Sequence, residues 1–175
     1  MNLNYKYIFI IILLFFCFCS SQNNRGYIVN IGDKSPEFNL EGKNFIESNK
    51  GKVIMLQFTA SWCSVCIKEM PHIEKDIWEV YKNNEDFVLV ALAKDTKKRP
   101  QGYLEIKQMI DRTNVTYTVI SDYDSKIFNL FADEKAGVTR NVIIDKEGNI
   151  NFLTRLFDIN EFNEMKIKIK ELLKE

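Results

Sequence analysis

The chain has 175 residues, with 24 basic and 24 acidic side chains, one histidine, four cysteines and 46% apolar residues. This length suits a single globular domain, since hydrophobic cores divide only in considerably longer chains. The formal net charge of zero argues against a nucleic-acid-binding protein and against a polybasic protein bound to a membrane surface. Seven glycines, three prolines and 13% aromatic residues argue against a collagen-like or disordered chain.

An unbroken apolar run, YIFIIILLFFCFC, extends from Tyr7 to Cys19. It is shorter than the roughly 20 residues that a membrane-spanning helix needs. It has no polar positions, as a buried core helix would have, and Lys6 precedes it while polar residues follow over 20–24. This pattern is typical of a secretory signal peptide. We therefore expect an exported protein of the periplasm or cell envelope.

Two ways of processing this signal are open. Cleavage after Ser21 would use small residues at the minus-three and minus-one positions. Alternatively, Cys19 would carry a lipid that anchors the protein to a membrane, although Phe18 stands where lipoprotein signals have a small residue. The predicted organisation is a signal peptide over 1–21, a polar tether over 22–34 and one domain over 35–175. The domain keeps two cysteines, which in an oxidising compartment form a structural bridge or a redox device.

The rest of the chain alternates between apolar strands and amphipathic helices. The first strong strand is apolar at nearly every position, as strands buried on both faces of a sheet are. In chain order we predict a short edge strand over 36–40, a strand over 53–58, a helix over 64–81 and a strand over 87–93. A solvated charged loop rather than an anion site follows over 94–99, and then come a helix from Pro100 to Thr113, a strand over 117–120 and a short helix over 125–131. The chain ends with a hairpin of strands 142–144 and 150–156, with Gly148 at positive φ, and a helix capped by Asp158 or Asn160. This order predicts an α/β layered domain.

Two cysteines, Cys63 and Cys66, directly follow the first strong strand and open the next helix. Their spacing brings both sulfurs onto one face at the helix start, close enough for a small disulfide ring. The helix N-terminus offers free N–H groups and a partial positive charge, which stabilise a thiolate. We expect Cys63, at the exposed end, to attack a substrate disulfide and Cys66, one turn inside, to resolve the mixed disulfide.

Other uses of the pair have less support in the sequence. A purely structural disulfide would restrain little of the unfolded chain, because the loop it closes is tiny. A zinc site would need further ligands, and the sequence has no second CxxC and no histidine pair. Trp62 is expected to pack beside the cysteines and limit access of water, or else to be an ordinary aromatic at the edge of the core.

The stretch from Trp62 to Pro71, WCSVCIKEMP, resembles the WCxxCxxExP signature of TlpA/ResA-type thiol-disulfide oxidoreductases. These are exported, often membrane-tethered proteins of the thioredoxin-like fold, and the resemblance extends from about Gly32 to the C-terminus. It implies an α/β domain with a central mixed β-sheet flanked by helices, an N-terminal extension and a middle insertion. It also implies that Cys63 and Cys66 are the redox pair, which forms the Cys63–Cys66 disulfide when oxidised.

Two further residues match the family motif. Glu69 matches the acidic residue just past the second cysteine, where it would hold or relay a proton while Cys66 becomes a thiolate. Its alternative is an ordinary exposed carboxylate on the helix. Pro71 matches the proline that bends the active-site helix, because proline inside a helix removes a hydrogen bond.

One position departs from the family pattern. The family usually has a cis-proline just before the strand that enters the Asp-x-x-Gly hairpin, facing the cysteines, and Thr139 stands there in this chain. A cis bond before a residue other than proline costs about 2.5–4 kcal/mol, so we expect a trans peptide bond or a rebuilt loop. In the family that proline shapes substrate docking and helps to keep metals off the thiols, so both properties are open here.

Arg140 and His72 bear on the alternatives to a thiol-disulfide oxidoreductase. Arg140 beside Cys63 would stabilise the thiolate or hold an anionic group of a substrate; otherwise it is a solvated surface arginine. It resembles an arginine of peroxiredoxins, but a thiol peroxidase is the weaker alternative because Ala60 occupies the position of their motif threonine.

Thr139 also leaves open a thioredoxin-fold module that binds Cu(I) on the two thiolates. His72 is the only histidine that such a copper site could use. We expect His72 to lie at the surface or behind the cysteines and not to bind a metal.

The sequence therefore predicts an exported thiol-disulfide oxidoreductase that acts reductively, by analogy with the family. The expected partners are protein thiol or disulfide substrates and an upstream electron donor. We expect a monomer without cofactor or metal, with no nucleic-acid partner, and with a membrane tether only through its N-terminus.

Overall fold

The computed structural model describes residues 25–174. The predicted signal peptide, with Cys19, lies outside these residues. Within the described part, no helix combines the length and the apolar character that crossing a membrane requires.

A mixed sheet of five strands forms the centre of the domain, in the order β5-β4-β3-β6-β7. Strands β3, β4 and β5 run parallel, whereas β6 is antiparallel to β3 and β7 to β6. A separate antiparallel pair, β1 and β2, lies outside this sheet and contains the end of the predicted edge strand. The bounds are β1 Asn39–Leu40, β2 Lys43–Asn44, β3 Val53–Thr59, β4 Phe87–Lys94, β5 Thr118–Asp122, β6 Arg140–Ile144 and β7 Ile150–Arg155.

Helices connect these strands in the predicted order, but the helix predicted from Pro100 begins at Tyr103, and an additional short helix lies between β2 and β3. Asp158 caps the C-terminal helix and accepts from the backbone N–H groups of Asn160 and Glu161. Gly148 has φ +81° in the hairpin turn, as expected for its position. The bounds are α1 Phe45–Ser48, α2 Ser64–Ile73, a π-helical stretch Glu74–Trp78, α3 Glu79–Tyr81, α4 Tyr103–Thr113, a 3-10 turn Tyr123–Ser125, α5 Phe128–Phe131 and α6 Ile159–Leu172.

The alternation of side chains along β3 divides the apolar core into two layers. Val53 and Met55 pack on the face covered by α2, α4 and α6, whereas Ile54, Leu56 and Phe58 pack on the opposite face, against Phe128 and Phe131 among others. All seven residues of β3 are buried. This confirms the prediction of a strand covered on both faces and places its C-terminal end, where the cysteine motif begins, at the centre of the sheet.

At the regular helical period, Ile73, Ile77 and Val80 of the helix predicted over 64–81 would share one buried face, but Val80 is exposed. Ile73 and Ile77 are fully buried, but Val80 is 61% exposed. The π-helical stretch Glu74–Trp78 contains Ile77 and precedes Val80, and its i→i+5 hydrogen bonds change the helical period on which the expectation rested.

The segment expected to be a polar tether packs on the domain from its first described residues. Tyr27 and Val29 are buried among the apolar residues of the second layer. The Tyr27 hydroxyl donates to the carbonyl oxygen of Thr154 at 2.6 Å and lies 3.1 Å from that of Asn141. Gly32 donates its backbone N–H to Ile150. The folded domain therefore begins before residue 35, because two apolar side chains of an otherwise polar stretch pack against the sheet.

This packing predicts different costs for two adjacent residues. Y27A is expected to lower the free energy of unfolding by about 3–5 kcal/mol, because it removes a buried aromatic ring and its hydrogen bond. I28A, at a neighbouring residue that is 56% exposed, is expected to change it by less than about 0.5 kcal/mol. Urea unfolding followed by tryptophan fluorescence measures both. Equal small effects would contradict the packed segment.

Candidate active site

The cysteine motif occupies the turn between β3 and α2. Cys63 has extended backbone dihedrals and is the N-cap of α2, so its sulfur accepts the backbone N–H of Cys66 at 3.2 Å. The two cysteines form a disulfide with Cα atoms 5.2 Å apart. Cys63 keeps 9% of its surface exposed, whereas Cys66 has none. The sequence-based placement of both sulfurs at the helix start is therefore confirmed.

Thr139, the residue directly before β6, faces the disulfide. Its hydroxyl oxygen lies 3.2 Å from the sulfur of Cys63 and 3.2 Å from that of Cys66. No cis peptide bond occurs within residues 25–174, so the bond before Thr139 is trans. A hydroxyl at this position can donate a hydrogen bond to either sulfur, which the side chain of proline cannot do.

Trp62 is half-covered by a loop that follows β4. Its ring is 42% exposed, and the guanidinium of Arg99 lies 4.2 Å from the ring centroid. The neighbouring Ser61 donates its backbone N–H to the side-chain oxygen of Gln101 at 2.7 Å. The aromatic residue is thus held beside Cys63 by residues about 40 positions further along the chain.

Glu69 is buried one turn beyond Cys66, with 1% of its surface exposed. Its carboxylate accepts from the side-chain amides of Asn141 at 2.8 Å and of Gln57 at 3.5 Å. Burial raises the pKa of Glu69 from 4.5 to about 7, and the two amides offset only part of this rise. The exposed-carboxylate alternative does not describe this residue. A group with this pKa can take up or release a proton near neutral pH.

The amides around Glu69 belong to a polar network that sequence reasoning missed. Tyr117 donates its hydroxyl to the side-chain oxygen of Gln57 at 2.9 Å, and the amide of Asn141 also donates to the Thr154 hydroxyl at 2.9 Å. Gln57 and Asn141 are fully buried. The signal was present as single polar residues inside the apolar runs VIMLQF and NVII, because a buried polar side chain needs a partner.

Arg140 packs between β6 and the N-terminal segment, and its hydrogen bonds within residues 25–174 do not include either sulfur. It is 1% exposed, so it is not a solvated surface residue. Its guanidinium donates to the carbonyl oxygens of Gly137 and Arg25 and lies 4.9 Å from the Tyr27 ring centroid. These contacts stabilise the N-terminal segment and do not reach the sulfurs. Successive residues of a strand point to opposite faces, so Arg140 faces Tyr27 while Asn141 faces Glu69.

Pro71 and His72 lie further along the same helix. Pro71 is inside α2, as predicted, and its missing N–H leaves one hydrogen bond of the helix unmade. His72 packs its ring against Phe157, with centroids 4.8 Å apart. Within residues 25–174, no group of three or more His, Cys, Asp or Glu side chains is arranged to hold a metal ion. The chemistry that the described residues do offer is thiol–disulfide exchange.

Known proteins are similar to this chain in sequence and in fold. The model of the Redoxin family matches residues 30–169. A thiol-disulfide oxidoreductase ResA of Bacillus cereus is 26% identical over 126 residues, which cover 70% of this chain and 68% of that protein. A solved structure from Bacteroides thetaiotaomicron, a "putative protein disulfide isomerase", is 46% identical with a TM-score of 0.78, covering 86% of this chain and 94% of that one.

A second solved structure supports the fold alone. The thiol:disulfide interchange protein, a thioredoxin family protein from Chlorobium tepidum TLS, is 22% identical with a TM-score of 0.62, covering 83% of this chain and 99% of that one. The mixed sheet, the cysteine pair at disulfide distance and the family match agree. The chain belongs to the Redoxin family and is a TlpA/ResA-like thiol-disulfide oxidoreductase of the thioredoxin superfamily.

Proposed function

We propose that this oxidoreductase reduces protein disulfides through a mixed disulfide on Cys63 that Cys66 resolves. The observation that carries the proposal is the unequal burial of the pair: Cys63 keeps an exposed edge at the N-cap of α2, whereas Cys66 is fully buried one turn inside. A substrate sulfur can therefore reach Cys63 but not Cys66. This difference supports Cys63 as the attacking thiol and Cys66 as the resolving thiol.

The proposed exchange consists of two successive substitutions at sulfur, over which atoms and electrons balance. The Cys63 thiolate attacks one sulfur of the substrate disulfide, which breaks that bond and releases one substrate thiolate. Cys66, after losing its proton, attacks the Cys63 sulfur and releases the second substrate thiolate. The substrate gains two electrons and the protein ends as the Cys63–Cys66 disulfide, so an upstream donor must return two electrons before the next cycle.

Two groups stabilise the Cys63 thiolate that this cycle needs. The backbone N–H of Cys66 donates to the Cys63 sulfur, with the positive end of α2 behind it. The Thr139 hydroxyl lies within hydrogen-bond distance of the same sulfur. Hydrogen bonds to a charged acceptor are stronger than those to a neutral one, so both favour the thiolate over the thiol. Thr139 thus supports the active site in the place of the family's proline.

Glu69 is the acceptor for the proton that Cys66 must lose. It follows Cys66 in α2 and is buried like it, and its pKa of about 7 lets it exchange a proton at neutral pH. Asn141 and Gln57 position its carboxylate through their amides. No salt bridge within the described residues engages Glu69, so no cation keeps it charged.

We also propose that the protein acts outside the cytoplasm. The apolar run over 7–19 supports export, with Cys19 as the acceptor of a lipid anchor or Ser21 as the last residue before cleavage. An exported dithiol works in oxidising surroundings. The reaction itself requires no cofactor, because the two cysteines carry the electrons.

Trapping tests the assignment of the two cysteines. Reduced C66S, mixed with an excess of a disulfide-linked peptide dimer, is expected to accumulate one equivalent of mixed disulfide on Cys63, because the resolving thiol is absent. Reduced C63S is the matched control and is expected to react far more slowly, since Cys66 is fully buried. Intact-protein mass spectrometry counts the adducts. Equal labelling of both variants would overturn the proposal.

The role of Thr139 predicts a change in thiol reactivity. T139V keeps the shape of the side chain but removes the hydroxyl, so the pH midpoint of Cys63 alkylation is expected to rise by about one unit, the loss of a hydrogen bond to a charged group. T139S keeps the hydroxyl and is expected to retain the wild-type midpoint. Iodoacetamide labelling as a function of pH measures both variants. An unchanged midpoint in T139V would show that the hydroxyl does not act on the thiolate.

The raised pKa of Glu69 predicts a pH-dependent stability. Because burial raises this pKa from 4.5 in the unfolded chain to about 7 in the folded one, the carboxyl group stabilises the folded state fully below pH 4.5 and loses this contribution as the pH rises through 7. The free energy of unfolding of oxidised wild type, relative to oxidised E69Q, is expected to fall across this range by on the order of 3 kcal/mol. Denaturant titrations at several pH values measure it, and a constant difference would contradict the raised pKa.

A further inference from the structure

The loop over residues 95–102 is fixed against the cysteine motif. Gln101 is 1% exposed, and its side-chain oxygen accepts the backbone N–H of Ser61, two residues before Cys63. The backbone N–H of Gln101 donates to the carboxylate of Asp95 at 2.8 Å. These buried contacts connect both ends of the loop and hold it beside the active site.

The same loop presents three consecutive cations to solvent. Thr96 and Arg99 exchange backbone hydrogen bonds of 3.3 and 3.0 Å, which close a tight turn with Lys97 and Lys98 at its tip. Lys97, Lys98 and Arg99 are all exposed. Within residues 25–174 none of the three takes part in a salt bridge. In a chain with a formal net charge of zero, this is a local positive field, since the only acidic residue of the loop, Asp95, is buried.

Arg99 places part of this positive charge over the residue that precedes the reacting cysteine. Its guanidinium stacks over the ring of Trp62, the residue directly before Cys63. The stacking restricts a long side chain that would otherwise move freely, and Trp62 remains 42% exposed. A protein segment that brings its disulfide to Cys63 therefore passes close to a positioned guanidinium.

The acidic side chains near the loop do not cancel this field at Trp62. Asp95 is buried and accepts hydrogen bonds from the backbone of the loop and of Asp124. Glu105 accepts the backbone N–H of Gly102 at the start of α4. Asp124 and Glu134 border, with Lys97 and Lys98, a cleft of about 580 Å³ that includes neither Arg99 nor Trp62.

We propose that the loop Lys97–Lys98–Arg99 is a docking surface for acidic segments of protein substrates, with Arg99 contacting carboxylates that flank the substrate cysteine. This inference rests on the proposed disulfide exchange and names the class of substrate. Complementary charge raises the population of the encounter complex and suppresses partners of the wrong sign. A solvated loop, as the sequence alone indicates, becomes a specificity element because tertiary contacts fix it beside the nucleophile.

Peptides of different charge test this docking surface. The substrates are three disulfide-linked peptide dimers of equal length, in which aspartates, serines or lysines flank the cysteine. Second-order rate constants with the reduced protein are measured by rapid quench and chromatography. At low ionic strength the aspartate peptide is expected to react about tenfold faster than the lysine peptide, and the difference is expected to vanish near about 1 M salt, where the screening length is about 3 Å.

Two variants with the same loss of charge locate the effect. The rate constant of each charged peptide is first divided by that of the serine peptide. In K97S/K98S/R99S the ratio of the aspartate value to the lysine value is expected to fall to about one. K43S/K50S/K170S removes three exposed lysines outside the loop and is expected to keep the ratio. A ratio near one in the wild type, or the same loss in both variants, would overturn the docking surface. If only the charge preference fails, the proposed exchange stands; if no peptide reacts, both fall.

Discussion

The geometry of the cysteine pair depends on the central position of β3 in the sheet. Pairing with β4 on one side and with β6 on the other fixes where β3 ends. Because β4 runs parallel to β3, the loop after β4 lies at the same edge of the sheet as Cys63. Because β6 runs antiparallel, its beginning lies there, and Thr139 comes directly before it. One strand order thus brings the loop after β4 and Thr139, which are far apart in the sequence, to the same cysteine motif.

The sheet also separates two buried charges that would otherwise neutralise each other. Glu69 lies on the side of α2 and receives only neutral amides, so the cost of burial outweighs the hydrogen bonds and raises its pKa to about 7. Arg140 lies on the other side with backbone carbonyls and the Tyr27 ring. An arginine on the same face as Glu69 would favour the carboxylate and remove its capacity to exchange protons near neutral pH. Alternation along β6 prevents this contact.

Groups of different kinds lie on the inner and the outer side of the cysteine motif. From the protein interior, a backbone N–H and the Thr139 hydroxyl lie within hydrogen-bond distance of Cys63, and they act at short range whatever the salt concentration. From the solvent side, Arg99 and the two lysines of its loop act through a field that salt screens. In the proposed exchange the first set favours the thiolate, and in the proposed docking the second favours one charge class of substrate. These contributions are therefore separable by variants and by ionic strength.

The sequence by itself determined the element order, the buried central strand, the cysteine pair at a helix start and the match of Glu69 and Pro71 to the family motif, because these depend on periodicity and spacing within short segments. Only the tertiary structure decided the surroundings of Arg140, the packing of Tyr27, the partners of Glu69 and the position of the charged loop. Each of these is set by residues far away in the sequence, such as Asn141 for Glu69 or Trp62 for Arg99. Local patterns report burial and secondary structure, whereas a side chain's partners follow from strand order and register, which bring distant segments together.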